Sequence, residues 1–109
     1  MCDLKFIRTE IQRATVAQEI QKILGPCEGG LHRKVQVIIP QSPQVFVDLD
    51  LTEGDTGNVM TNKVFNMPVM HPGQFLEFPM GCTQQLYAAS SEGFALVTLV
   101  IEYYSDGAP

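Results

Sequence analysis

A chain of 109 residues, 45% hydrophobic and 17% charged, suits one globular domain with a single modest core and excludes a disordered segment. Seven Lys and Arg against twelve Asp and Glu leave a net charge of −5, and the absence of a basic block disfavours direct nucleic-acid binding. Apolar runs stay short of the ~18 residues of a membrane span, and Met1-Cys2-Asp3-Leu4-Lys5 lacks the layout of a signal peptide.

The charged share is low for a small monomer, which implies that part of the outer surface is covered. Cys2, Cys27 and Cys82 are odd in number and scattered. They offer neither a disulfide framework nor the CxxC pairs of a zinc site, and reduced, cytosolic folding is expected.

Taken in order, Phe6 to Gln12 alternates, with Ile7, Thr9 and Ile11 opposite Arg8, Glu10 and Gln12. That pattern predicts a strand. Residues 15–24 fit two readings. A helix capped by Thr15, with Gln18 reaching back, would line up Val16, Ile20, Ile23 and Leu24. A second strand would alternate Val16, Gln18, Ile20 and Lys22. Gly25 to Leu31 reads as a loop, Lys34 to Ile39 as a strand, and Pro40-Gln41-Ser42-Pro43 as its end. From Val45 to Leu51 the alternation puts Val45, Val47, Leu49 and Leu51 inward and Phe46, Asp48 and Asp50 outward. Thr52 to Asn58 follows as a turn, Val59 to Met67 as a strand, Pro68 to Gly73 as a loop, Phe75 to Phe78 as a short strand and Pro79 to Cys82 as a turn.

The terminal stretch, Gln84 to Tyr104, predicts a β-hairpin around Ser90-Ser91-Glu92-Gly93. Its second arm directs Ala95, Val97, Leu99, Ile101 and Tyr103 to one face. The other face, Phe94, Leu96, Thr98, Val100 and Glu102, is also largely apolar, so a second covering is expected from this chain or from another molecule. Ser105 to Pro109 reads as a frayed tail. The sum is an all-β fold, an antiparallel β-sandwich or jelly roll of seven to eight strands with at most one short helix. One domain spans 1–109, with 1–13 as an arm or edge strand and 105–109 as a flexible tail.

Chemical sites are thin. Asp48, Asp50, Glu53 and Asp55 concentrate acid, but Glu53 stands where a calcium loop needs Gly, and Asp48 and Asp50 share a strand face. A solvated, charged strand face is expected instead. His32 and His71 lie in predicted loops outside any metal or triad pattern, and Gly29-Gly30 is too short to cradle phosphate. No enzyme, cofactor or metal is expected. The aromatics Phe46, Phe75, Tyr87, Phe94 and Tyr104, read as lying on outward faces, are left as core packing or as contacts. With Phe6, Ile7 and Leu96 they form the candidate interface.

The segment MHPGQFLEFPMGCTQQLYAASSEGFALVTLVIEYY resembles the ending of small virion structural proteins of tailed bacteriophages. There a Pro-Gly turn and a Leu-Tyr-Ala-Ala strand precede a polar turn and a valine-rich strand ending in Glu-Tyr. The matching positions are Pro72-Gly73, Leu86 to Ala89, Ser90 to Gly93 and Val97 to Tyr103, and Val35 to Asp50 is similar in rhythm. The resemblance implies a β-sandwich decoration or cement protein on the virion head surface, made in the host cytoplasm. Its partners would be the major capsid protein and itself, as a dimer or trimer. A tail, baseplate or fibre-attachment component is the alternative. A carbohydrate-binding module is a further one, against which the absence of Trp weighs.

Overall fold

A computed structural model describes residues 4–53 and 66–106. These residues form seven strands and no helix. They are β1 (Leu4–Val16), β2 (Gln21–Leu24), β3 (Leu31–Ile38), β4 (Val47–Thr52), β5 (Phe75–Gly81), β6 (Gln85–Ser90) and β7 (Ala95–Asp106). Two antiparallel sheets stack as a sandwich, one in the order β1-β7-β3-β5 and the other in the order β2-β6-β4. The all-β sandwich expected from the Pro- and Gly-punctuated strands is present. Residues 15–24 resolve as the end of β1, a short turn and β2, because Val16 continues the β1 ladder opposite Ala95.

The terminal stretch is not a hairpin. β6 is the centre of the three-stranded sheet, and β7 is an inner strand of the four-stranded sheet. The link from Ser91 to Phe94 therefore arches from one sheet to the other. It closes tightly: Ser90 Oγ donates to the Gly93 carbonyl at 2.9 Å, and Gly93 adopts φ 55°, where a side chain is disfavoured. Main-chain bonds anchor it to neighbours on either side, from Ser90 N to Ala17 O at 2.8 Å and from Ser91 N to Phe46 O at 2.9 Å. A polar four-residue turn serves an arch as well as a hairpin. What decides is burial, since all six residues of β6 are buried.

The core lies between the sheets. β7 contributes Ala95, Val97, Leu99 and Ile101, β3 contributes Val35 and Val37, β4 contributes Val47 and Leu49, and β6 contributes Leu86 and Ala88. Half of these are β-branched and all lie on one parity of their strand, as a pleated, half-buried surface favours. The 13 residues of β1 and 12 of β7 would extend ~40 Å at 3.3 Å per residue, and the molecule is accordingly elongated, 48 × 28 × 19 Å.

Several boundaries and one burial differ from the sequence reading; among the boundaries, β3 begins at Leu31 and β4 at Val47. β1 runs from Leu4 to Val16 with a bulge at Ile7, and its core-facing parity is Arg8, Glu10, Gln12, Ala14 and Val16. The three-stranded sheet is too narrow to reach under the start of β1, so these inward positions tolerate charge until Val16, which is fully buried. β5 continues through Pro79 to Gly81, where a turn was expected. Ser105 and Asp106 belong to β7. The burial that differs is that of Asp50, which is fully buried rather than solvated, and its Oδ1 accepts the Asn66 N–H at 3.0 Å. Most of the expected turn Thr52 to Asn58 and strand Val59 to Met67, with Cys2, Asp55 and Gly107 to Pro109, lie outside the described residues.

Truncating Leu99→Ala, in a fully buried site, is expected to cost about 3 kcal/mol. The check is a lowered urea midpoint at unchanged slope.

Candidate assembly surface

The register of the four-stranded sheet defines its outward face. One row runs Ile11, Val100, Gln36, Glu77, and the next runs Arg13, Thr98, Ile38, Phe75. Leu96 follows beside Thr15. Three large apolar side chains on this half are open to solvent: Ile11 at 64%, Phe75 at 63% and Leu96 at 51%. The other half is mixed, with Leu4 and Phe6 exposed beside charged pairs. There Lys34 pairs with Glu77 at 3.3 Å, and this hydrogen-bonded partner pushes the Lys34 pKa up. His32 meets Asp106 at 2.9 Å.

The candidate interface residues fall into three groups. Phe75, Leu96 and Phe94 lie toward the arch end, where Phe94 is exposed and precedes β7. Phe46 sits beside the same arch, exposed, its ring 4.8 Å from that of His71. At the opposite end Phe6 meets Tyr104 edge-on at 5.7 Å, and the bulged Ile7 is exposed. Tyr104 is half-buried, with its hydroxyl on Glu102 at 3.1 Å; desolvation first and this bond second push its pKa up. Tyr87 does not belong with them. It is fully buried, on the side of β6 facing away from the other sheet, between Lys22 and Asp50 in the register. That side of the three-stranded sheet is itself covered, as Gln85 and Ala89 are buried there too.

Sequence reasoning missed Ile11, because Ile7, Thr9 and Ile11 look like a core-facing set. The signal available was Ala14 and Val16, which share parity with Arg8, Glu10 and Gln12 and carry that face inward. It missed Arg33 for a related reason, although Arg33 shares parity with Val35, Val37 and Ile39.

Arg33 closes one end of the sandwich. It is 3% exposed and donates to three main-chain carbonyls: Gly25 at 2.7 Å, Gly81 at 2.8 Å and Gln84 at 3.1 Å. Tyr103 is its neighbour on β7 in the same row. The Arg8 guanidinium lies 4.2 Å above the Tyr103 ring, and the Tyr103 hydroxyl donates to Glu10 at 2.7 Å. Burial, then the bond to Glu10, push the Tyr103 pKa up.

Sheet edges are the second feature of an assembly surface, because an open edge is a template for another strand. Val47 on β4 exchanges two main-chain bonds with Met70, at 2.9 and 2.8 Å, and Leu51 is held by the Asn66 side chain at 3.0 and 2.8 Å. β5 carries Pro79, which a ladder accepts only with its nitrogen turned to the free edge. β2 is four residues long and bulged. Among the described residues β1 is the longest edge, broken by the bulge at Ile7 and met near its end by Gln21 Nε2, which donates to the Thr15 carbonyl at 2.6 Å.

A cleft of about 800 Å³ follows β5, lined by Phe78, Pro79 and Met80 together with His32, Lys34 and Glu77. Its charged groups are the paired ones above. Among the described residues no three His, Cys, Asp or Glu side chains cluster to hold a metal, and no helix is long and apolar enough to cross a membrane.

No protein-family model matches the chain, and no curated protein matches it. Among solved structures, one described as "Bacillus endospore appendages form a novel family of disulfide-linked pili" is similar in fold, with a TM-score of 0.63. The likeness covers 97% of this chain and 92% of that one at 6% sequence identity.

Two outcomes follow from the Arg33 end. Arg33→Met leaves three partly buried carbonyls without their donor and is expected to cost about 3 kcal/mol in urea unfolding. For Tyr103, the raised folded pKa means its stabilisation is present below the unfolded value of about 10 and is lost as pH rises through the folded value. The stability gap between wild type and Tyr103→Phe should therefore shrink above about pH 10 in melts across that range.

Proposed function

We propose that this chain is a non-enzymatic structural subunit whose work is docking: a decoration or cement protein on the outer surface of a tailed-phage head, bridging neighbouring major capsid subunits. The observation that carries this reading is the outward face of the four-stranded sheet, where Ile11, Leu96 and Phe75 stand exposed on a rigid surface. Covering such a face returns ~25 cal/mol per Å² of apolar area. Scattered exposed hydrophobics need no explanation, but a set on neighbouring rows of one sheet marks a contact surface. The β1 edge can add main-chain pairing to a neighbouring strand. Self-association as a dimer or trimer on the shell fits the same surface.

A second reading is a subunit of a filamentous appendage. The fold likeness to a protein of disulfide-linked pili, across nearly the whole chain, favours it. The two readings differ in what the subunit needs. A decoration protein needs a shell, and an appendage subunit needs copies of itself.

Co-sedimentation with undecorated, tail-less shells tests the first reading. Saturable binding is expected, and Leu96→Glu should weaken it by about tenfold or more while shifting stability by only ~0.5 kcal/mol. Failure to bind shells, with filaments of the pure protein in electron micrographs, would move the assignment to the second reading.

A further inference from the structure

We propose that Cys27 and Cys82 are a disulfide-forming pair, which closes an intramolecular bond when the protein meets a disulfide oxidant such as oxidised glutathione. The inference does not depend on the function proposed above.

Cys27 lies in the β2–β3 connection and Cys82 in the β5–β6 turn, 55 positions apart in the chain. In the fold they are neighbours: the Cys27 N–H donates to the Cys82 carbonyl at 2.8 Å. A direct main-chain bond sets two Cα atoms roughly 5–6 Å apart, within the span a disulfide bridges. Both cysteines are free and half-buried, so reagent can reach them.

The two segments are also fastened together independently of sulfur. Arg33 donates to Gly25, two residues before Cys27, and to Gly81, directly before Cys82. The same guanidinium therefore brings both cysteines to one place, and closing the bond requires little further ordering. Burial pushes the Cys27 thiol pKa up; Arg33 opposes that, and Cys82 adds to it. Because the thiolate attacks, closure is faster at alkaline pH.

The chemistry balances. One cysteine thiolate attacks glutathione disulfide, forms a mixed disulfide and expels one glutathione thiolate. The second cysteine attacks that mixed disulfide and expels the other. Two cysteine thiols lose two protons and two electrons, and the oxidant becomes two thiols.

The test is incubation of the native chain and of Cys2→Ser in a glutathione redox buffer, followed by alkylation, intact mass and non-reducing peptide mapping. In both, the expected product is a monomer lighter by two hydrogens, with a peptide joining Cys27 to Cys82. Its Tm should lie about 10–20 °C above that of the reduced protein. Cys82→Ser should lose the cross-link and retain a glutathione adduct on Cys27. The proposal is overturned if both cysteines are recovered alkylated, if wild type keeps a glutathione adduct on either, or if a covalent dimer or a bond to Cys2 is the main product.

Discussion

The face-to-face stacking of β6 and β7 is the constraint on which the remaining structure depends. Consecutive strands joined by a four-residue link would ordinarily pair edge to edge. Here they sit in opposite sheets, both flanked on each side by partners, and their inward residues enter one core. That arrangement makes β6 buried along its whole length and leaves β7 with one buried and one outward parity. The core is thereby assembled from long-range contacts, and the outward apolar face follows from where β7 lies in its sheet.

The architecture was legible in the chain, and the connectivity was not. Alternation in Val45 to Leu51 and in Ala95 to Tyr103 marks strands and their inward parity, and Pro and Gly mark their ends. Alternation is local, however, and does not record which sheet a strand joins, so an arch and a hairpin leave the same trace around Ser90 to Gly93. The same limit left the two faces of β1 unassigned, and its charged residues Arg8 and Glu10 share the parity that points inward. Asp50 and Tyr87 show the converse: both look solvent-facing by parity, yet the outward side of the three-stranded sheet is buried. The outward parity of Phe94 and Leu96 was legible, but whether this chain covers them was not; both are exposed, as is Phe75. The proximity of Cys27 and Cys82 was invisible, because nothing in a separation of 55 positions encodes contact.

Arg33 belongs to structure rather than to chemistry. A buried guanidinium is costly unless its donors are matched; main-chain carbonyls take up the two terminal nitrogens of Arg33, while its Nε is buried without a partner. The end of the sandwich is closed by directional bonds instead of apolar filling, which fixes the relative position of two turns that no strand pairing joins. The opposite end, around Phe46, Phe94 and the arch, is apolar and exposed. The Arg33 end thus combines directional polar bonds with exposed Leu4, Phe6 and Ile7, while the arch end exposes Phe46 and Phe94.

Pro79 has a consequence for the arithmetic of assembly. A sheet that extends indefinitely needs two pairable margins per subunit, one to receive a neighbour and one to offer to the next. With Pro79 on β5 and a bulge at Ile7 of β1, neither margin of the four-stranded sheet offers an uninterrupted ladder. Strand pairing is therefore hindered at both margins, and the flat of the sheet is the broader surface left open to contact.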